Sequence, residues 1–203
     1  MERITLNRQE KGKLAELVAR GLHRGPHELV EELVEEHVQE RYRDLMSDRP
    51  VRITNADINS YRWFDVVPVS VPGDVGWRPD FSLKAEWKQQ FGKHDLFEEW
   101  IRERNAPPVK LRTKRPRWRN GRFERTLVAT FSVYYPVEVK SGDKKTLTDQ
   151  QASAIPDVVN HVDHVHPLIA TVETDELPHS YSMDIEEFST SEWNRGGSSR
   201  YRS

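Results

Sequence analysis

Between Gly25-Pro26 and Ser47-Asp48-Arg49-Pro50 the chain carries one uninterrupted apolar stripe at helical spacing. Leu29, Val30, Leu33, Val34, His37, Val38, Tyr42, Leu45 and Met46 lie on a single helix face. Glu28, Glu31, Glu32, Glu35, Glu36 and Glu40 fill the other side. A helix of this kind gains its stability from covering its stripe, so the rest of the chain has to supply an apolar surface. A shorter helix precedes it. Asn7 is placed to cap that helix with Glu10 reaching back, and Leu14, Leu17, Val18 and Leu22 form its apolar set.

From Val51 the pattern changes to strands. Trp63–Val71 and Phe81–Trp87 read as two of them, separated by the turn signal Pro72-Gly73-Asp74. Residues 89–106 read as a helix ended by Pro107-Pro108. Asn120-Gly121 is the strongest short hairpin signal and leads into a long strand-like run from Arg122 to Lys140. A short helix is expected from about Asp149, broken at Pro156, with closing strands over 166–172 and 180–188. This order predicts an α/β or α+β domain: a central mixed sheet flanked by helices, with an N-terminal helical pair and an inserted basic hairpin. The expected organisation is helices over 1–50 packed on the core, a core over 51–188 with an insert at 89–125, and a disordered Ser-, Gly- and Arg-rich tail over 189–203.

Charged residues make up 32% of the 203, so the surface is heavily charged or parts of the chain are loosely ordered, yet the net charge is only -2 and demands no polyanionic partner globally. The absence of cysteine excludes disulfides and thiolate chemistry. No apolar run reaches the length of a membrane span and no apolar signal core is evident, so the expectation is a soluble, cytoplasmic protein without a membrane partner.

The strand-like run ends in Tyr134-Tyr135-Pro136-Val137-Glu138-Val139-Lys140, followed by Ser141-Gly142. Glu138 and Lys140 project from one strand face, about 7 Å apart along it. Upstream, Pro79-Asp80 enters the strand that begins at Phe81. An aspartate and a Glu-X-Lys triplet on neighbouring strands can hold a divalent cation against a phosphodiester. Glu86-Trp87-Lys88 is also Glu-X-Lys, but Glu86 lies on the same strand as Asp80, six residues and roughly 20 Å away, and the two cannot share an ion. Asp65, an acid within an apolar run, is a competitor of Asp80 as ligand.

Pro79-Asp80, Glu138-Val139-Lys140 and the Gln of Lys145-Thr146-Leu147-Thr148-Asp149-Gln150-Gln151 together resemble the PD-(D/E)XK nuclease superfamily, in particular its RecB-like and Holliday-junction-resolvase-like branches. The resemblance implies a restriction-endonuclease-like fold and Mg²⁺- or Mn²⁺-dependent hydrolysis of DNA. It implies Asp80, Glu138 and the Val139 carbonyl as metal ligands, with Lys140 assisting the attacking water. Gln151 or Gln150 would orient water or phosphate, although Thr148-x-x-Gln151 also reads as a capping box. Many relatives add a Glu from the first helix, for which Glu31, Glu32, Glu35 and Glu36 are candidates and Glu35 is chosen for its place at the edge of the stripe. Where these relatives carry Gln-x-x-x-Tyr, this chain has Ala154 or Ile155.

Lys110, Arg112, Lys114, Arg115, Arg117, Arg119, Arg122 and Arg125 surround the Asn120-Gly121 turn, with Trp118 and Phe123 beside it. A basic arm with aromatics near its tip suits phosphate contact and base stacking, so DNA is the expected partner. His161, His164 and His166 with Asp163 have the residue types of a zinc site, but no cysteine accompanies them and polar surface positions are the plainer reading. The acidic second helix is unsuited to a DNA groove and is expected to pack on the sheet or to dimerise.

Overall fold

The computed structural model describes residues 7–21, 28–46, 51–55, 77, 79–91, 97–98, 109–113, 117–119, 122–124, 126–142, 147–161, 164–174 and 180–188. Helix α1 is Arg8–Ala19, capped by Asn7, whose side chain accepts from the Gln9 and Glu10 amides while Glu10 accepts from the Asn7 amide. Helix α2 is Glu28–Arg41, followed by a 3-10 turn at Arg43–Leu45 rather than by continuous helix to Met46.

Strands β1 (Arg52–Asn55), β2 (Phe81–Phe91), β6 (Leu127–Ser141), β7 (Leu168–Glu173) and β8 (Ser182–Glu187) form a mixed sheet in the order β1-β2-β6-β7-β8. A further strand, β3 (Val109–Thr113), pairs with the first third of β6. All pairings are antiparallel except β6 with β7. A parallel pair needs a crossover, and helix α3 (Asp149–His161) supplies it. Short strands β4 (Arg117–Arg119) and β5 (Arg122–Glu124) make a separate hairpin, joined at the two residues that the Asn-Gly signal marks.

Side-chain alternation divides the sheet into two faces. Leu83, Ala85 and Trp87 of β2, alternate residues Ala129 to Val137 of β6, and Leu168, Ala170 and Val172 of β7 face one way. They share one buried cluster with Ala15, Val18 and Ala19 of α1 and with Val30, Val34 and Val38 of α2. The sheet thus covers the α2 stripe at Val30, Val34 and Val38, with Leu33 packed against them, while Leu29 stays exposed. Among the described residues, the apolar cluster of the opposite face lies at one end, where Ile155 of α3 packs with Ile169 and Phe188, flanked by Trp77 and Leu147. Elsewhere it is polar: Lys84 pairs with Glu86 at 2.7 Å, and Ser132 donates to Glu86.

Three expectations need correction. Residues 89–91 continue β2 instead of starting a helix, because Gln89, Gln90 and Phe91 pair with Ala129, Val128 and Leu127, and Phe91 meets the Phe97 ring edge-on. Helix α3 runs through Pro156 to His161. Proline removes only the bond to the carbonyl of Ala152, which lies on the exposed side where water can reach it. The inserted basic segment is not a hairpin alone, since its first strand joins the main sheet. The expected strand at 63–71, with Asp65, and the tail at 189–203 lie outside the described residues. No helix among the described residues is long and apolar enough to cross a membrane.

Candidate functional site

The C-terminal end of β6 outruns β2. Their ladder stops at Phe81–Val137, leaving Glu138 to Ser141 paired with β7 on one side and past the start of β2 on the other. Asp80 occupies that corner. Its amide donates to the Val137 carbonyl at 3.0 Å, and its Oδ2 accepts from the Val139 amide at 2.7 Å. The aspartate side chain thereby takes the backbone bond that β2 would have made. A strand residue turns its N–H and C=O to the same edge, so the Val139 carbonyl is directed toward the Asp80 corner as well. Gly142, at φ 79°, ends the strand in a conformation that favours glycine, and its amide donates to the Val172 carbonyl.

Glu138 and Lys140 lie on the α3 face of the sheet. Glu138 is buried, 5% exposed, and both its oxygens accept hydrogen bonds. Trp77 Nε1 donates to Oε2 at 3.0 Å, and Lys140 Nζ and Gln151 Nε2 donate to Oε1. Lys140 Nζ also donates to Gln151 Oε1 at 2.7 Å. Gln151 does two jobs at once. Its Oε1 accepts from the Thr148 amide and its own amide donates to Thr148 Oγ1, which closes the first turn of α3 as a capping box. The helix cap therefore fixes the side chain that bridges Glu138 and Lys140.

Asp80 is the perturbed acid of the group. Burial foremost, and the Glu138 charge next, push its carboxyl from the ordinary 3.8 up to about 6, against the opposing Val139 hydrogen bond. The Glu16 charge on α1 pushes in the same direction, and Lys140 opposes it. Two acids that repel each other in a half-buried corner are oxygen donors of the type that hard cations take.

The sequence-predicted residues thus separate into groups. Asp80, Glu138, Val139, Lys140 and Gln151 come together. Glu35 hydrogen-bonds Gln39 on its own helix, and the helical acid within electrostatic range of Asp80 is Glu16, which pairs with Arg20 at 2.8 Å. Arg20 also donates to the Asp80 carbonyl and lies over the Phe81 ring. Glu86 is engaged by Lys84 and Ser132 as an ordinary strand-face pair. Lys110 and Arg112 are exposed on β3. Arg117, Trp118, Arg119 and Arg122 lie on β4 and β5, and Lys114 and Arg115 lie outside the described residues. Sequence reasoning missed Trp77 and Glu16. Trp77 stands three residues before Asp80, and that proximity was its one available signal. No protein-family model, curated protein or solved structure matches this chain.

Proposed function

We propose that this protein is a metal-dependent nuclease that hydrolyses DNA phosphodiester bonds on a restriction-endonuclease-like core. One observation carries the reading: at one sheet corner Asp80, just ahead of β2, accepts from the Val139 amide of β6, and the flanking Glu138 and Lys140 side chains are hydrogen-bonded to each other and to Gln151 of α3. Asp80, Glu138 and the Val139 carbonyl would hold Mg²⁺ or Mn²⁺. When bound, such an ion stabilises charge on the phosphoryl oxygens and lowers the pKa of a coordinated water. Lys140 is bonded directly to Glu138, and its ammonium is set to donate to the attacking water or to a phosphoryl oxygen. Gln151 holds Lys140 and Glu138 in register, and its position in the helix cap limits its freedom. The exposed Lys110 and Arg112, with the basic β4–β5 hairpin, supply phosphate contacts for a DNA partner.

A second reading, DNA binding without catalysis, has one observation in its favour. Both Glu138 oxygens already accept donors from the chain itself. One experiment separates the two. Single-stranded, duplex and branched DNA are incubated with the protein and Mg²⁺ or Mn²⁺, beside Glu138→Ala and Lys140→Ala. Metal-dependent cleavage lost in both variants supports the nuclease. Cleavage retained in both removes this site from the mechanism. Binding that weakens steeply with salt, without cleavage, selects the second reading.

A further inference from the structure

On the sheet face opposite Glu138 and Lys140, three elements bring His37, His166 and Glu187 together. His37 comes from the apolar stripe of α2, between the fully buried Val34 and Val38. His166 is 5% exposed, and its segment is pinned to β6 by two backbone bonds, from the Tyr134 amide to the His164 carbonyl and from the His166 amide to the Tyr134 carbonyl. Glu187 ends β8, opposite Leu168 of β7.

The geometry points to a binding site for one zinc-class divalent cation, ligated by His37 Nε2, His166 Nδ1 and the Glu187 carboxylate. The carboxylate oxygens lie 3.1 Å from His37 Nε2 and 3.4 Å from His166 Nδ1. Ligands at 2.0–2.1 Å from a tetrahedral ion stand about 3.3 Å apart, and each of these distances, one to Oε2 and one to Oε1 of Glu187, is close to that length. One ligand atom from each of the three residues lies within 4.8 Å of the others.

The outer groups are arranged as such a site requires. His37 Nδ1 is 2.8 Å from the Tyr135 hydroxyl, and His166 Nε2 is 2.9 Å from the Tyr42 hydroxyl. With an ion bound, each of these ring nitrogens carries the proton and donates to a phenol oxygen, which fixes the ring orientation. Without an ion, the two rings donate to Glu187 and accept from the phenols, and every group stays satisfied. Two imidazoles with one carboxylate favour zinc-class ions over Mg²⁺ and leave a fourth position for water. Arg41 approaches Glu187 to 3.8 Å and competes with a cation, but its side chain is 55% exposed and can turn into solvent. His166 thus sits beside His37 and Glu187 and is buried, not a polar surface position, while Asp163 and the His161 side chain lie outside what the structure describes.

The test is titration of the full-length protein with Zn²⁺ in excess Mg²⁺, which competes for the oxygen ligands that the proposed function assigns to the acidic corner on the other face. Binding is read by calorimetry and by the ligand-field spectrum of Co²⁺. Wild-type protein is expected to take up one ion and to melt at a higher temperature. Glu187→Gln keeps the shape and a hydrogen-bond acceptor, and His37→Asn removes one ring. Loss of an outer partner costs 10–100-fold in affinity, so loss of a direct ligand is expected to cost more than about 100-fold. Should His37→Asn misfold by circular dichroism, Glu187→Gln alone decides. Absence of binding at micromolar Zn²⁺, or unchanged affinity in a folded variant, overturns the site.

Discussion

Replacing Asp80 by asparagine is expected to stabilise the metal-free protein at neutral pH while abolishing metal-dependent cleavage. Burial and the Glu138 charge raise the Asp80 carboxyl from 3.8 to about 6. A shift of about two units corresponds to about 3 kcal/mol, at roughly 1.4 kcal/mol per unit. A carboxyl that holds its proton more tightly when folded stabilises the fold fully below pH 3.8. That contribution is lost as the pH rises through about 6. At about pH 7 the wild type therefore carries the whole penalty of an ionised acid in this corner, and an amide carries none. The asparagine oxygen can still accept from the Val139 amide, so the corner keeps its shape. Water at this half-buried group screens part of the effect, leaving an expected gain of about 1–2 kcal/mol. In a chain of this size that is about 2–8 °C in Tm. Thermal and urea denaturation with chelator, from about pH 3.5 to pH 8, should show the two proteins converging in acid and separating toward neutrality. Added Mg²⁺ should raise the wild type and leave the variant unmoved. A variant no more stable than wild type at neutral pH would refute the account of Asp80.

Gln151→Ala should lower stability by about 1 kcal/mol through the lost cap and also reduce cleavage, whereas Thr148→Ala should affect stability alone; urea melts and a cleavage assay separate the two. Trp77→Phe removes the donor to Glu138 Oε2 and leaves a buried carboxylate short of a partner, with an expected loss of about 1–3 kcal/mol by denaturation. Leu83→Ala, at a fully buried position between β1 and β6, should cost about 2–5 kcal/mol. Leu111→Ala at an exposed position of β3 should stay within about 0.5 kcal/mol in the same assay.

Much of the scaffold was legible because its signals are local. The Asn7–Glu10 cap, the α2 stripe, the Asn-Gly hairpin and the Thr148–Gln151 box each involve residues within a turn or two. The placement of Glu138 and Lys140 on one face is equally local, since strand alternation alone requires it. Where local preference competed with pairing, pairing won. Gln89 and Gln90 suit a helix, yet β6 was long enough to keep them in β2.

The sequence by itself determined the starts of the helices, the cores of the main strands, which faces are apolar, and that one acid and one lysine share the end of β6. It could not determine what meets them there. That β6 outruns β2, so that Asp80 takes the Val139 amide, is a matter of register between strands 59 residues apart. That Glu16 rather than Glu35 senses Asp80, and that Trp77 holds Glu138, depends on how α1 and the approach to β2 pack. The meeting of His37, His166 and Glu187 likewise needs α2 laid across the sheet. Periodicity acts over a few residues, whereas these contacts arise only when burial of the shared core brings distant elements to one place.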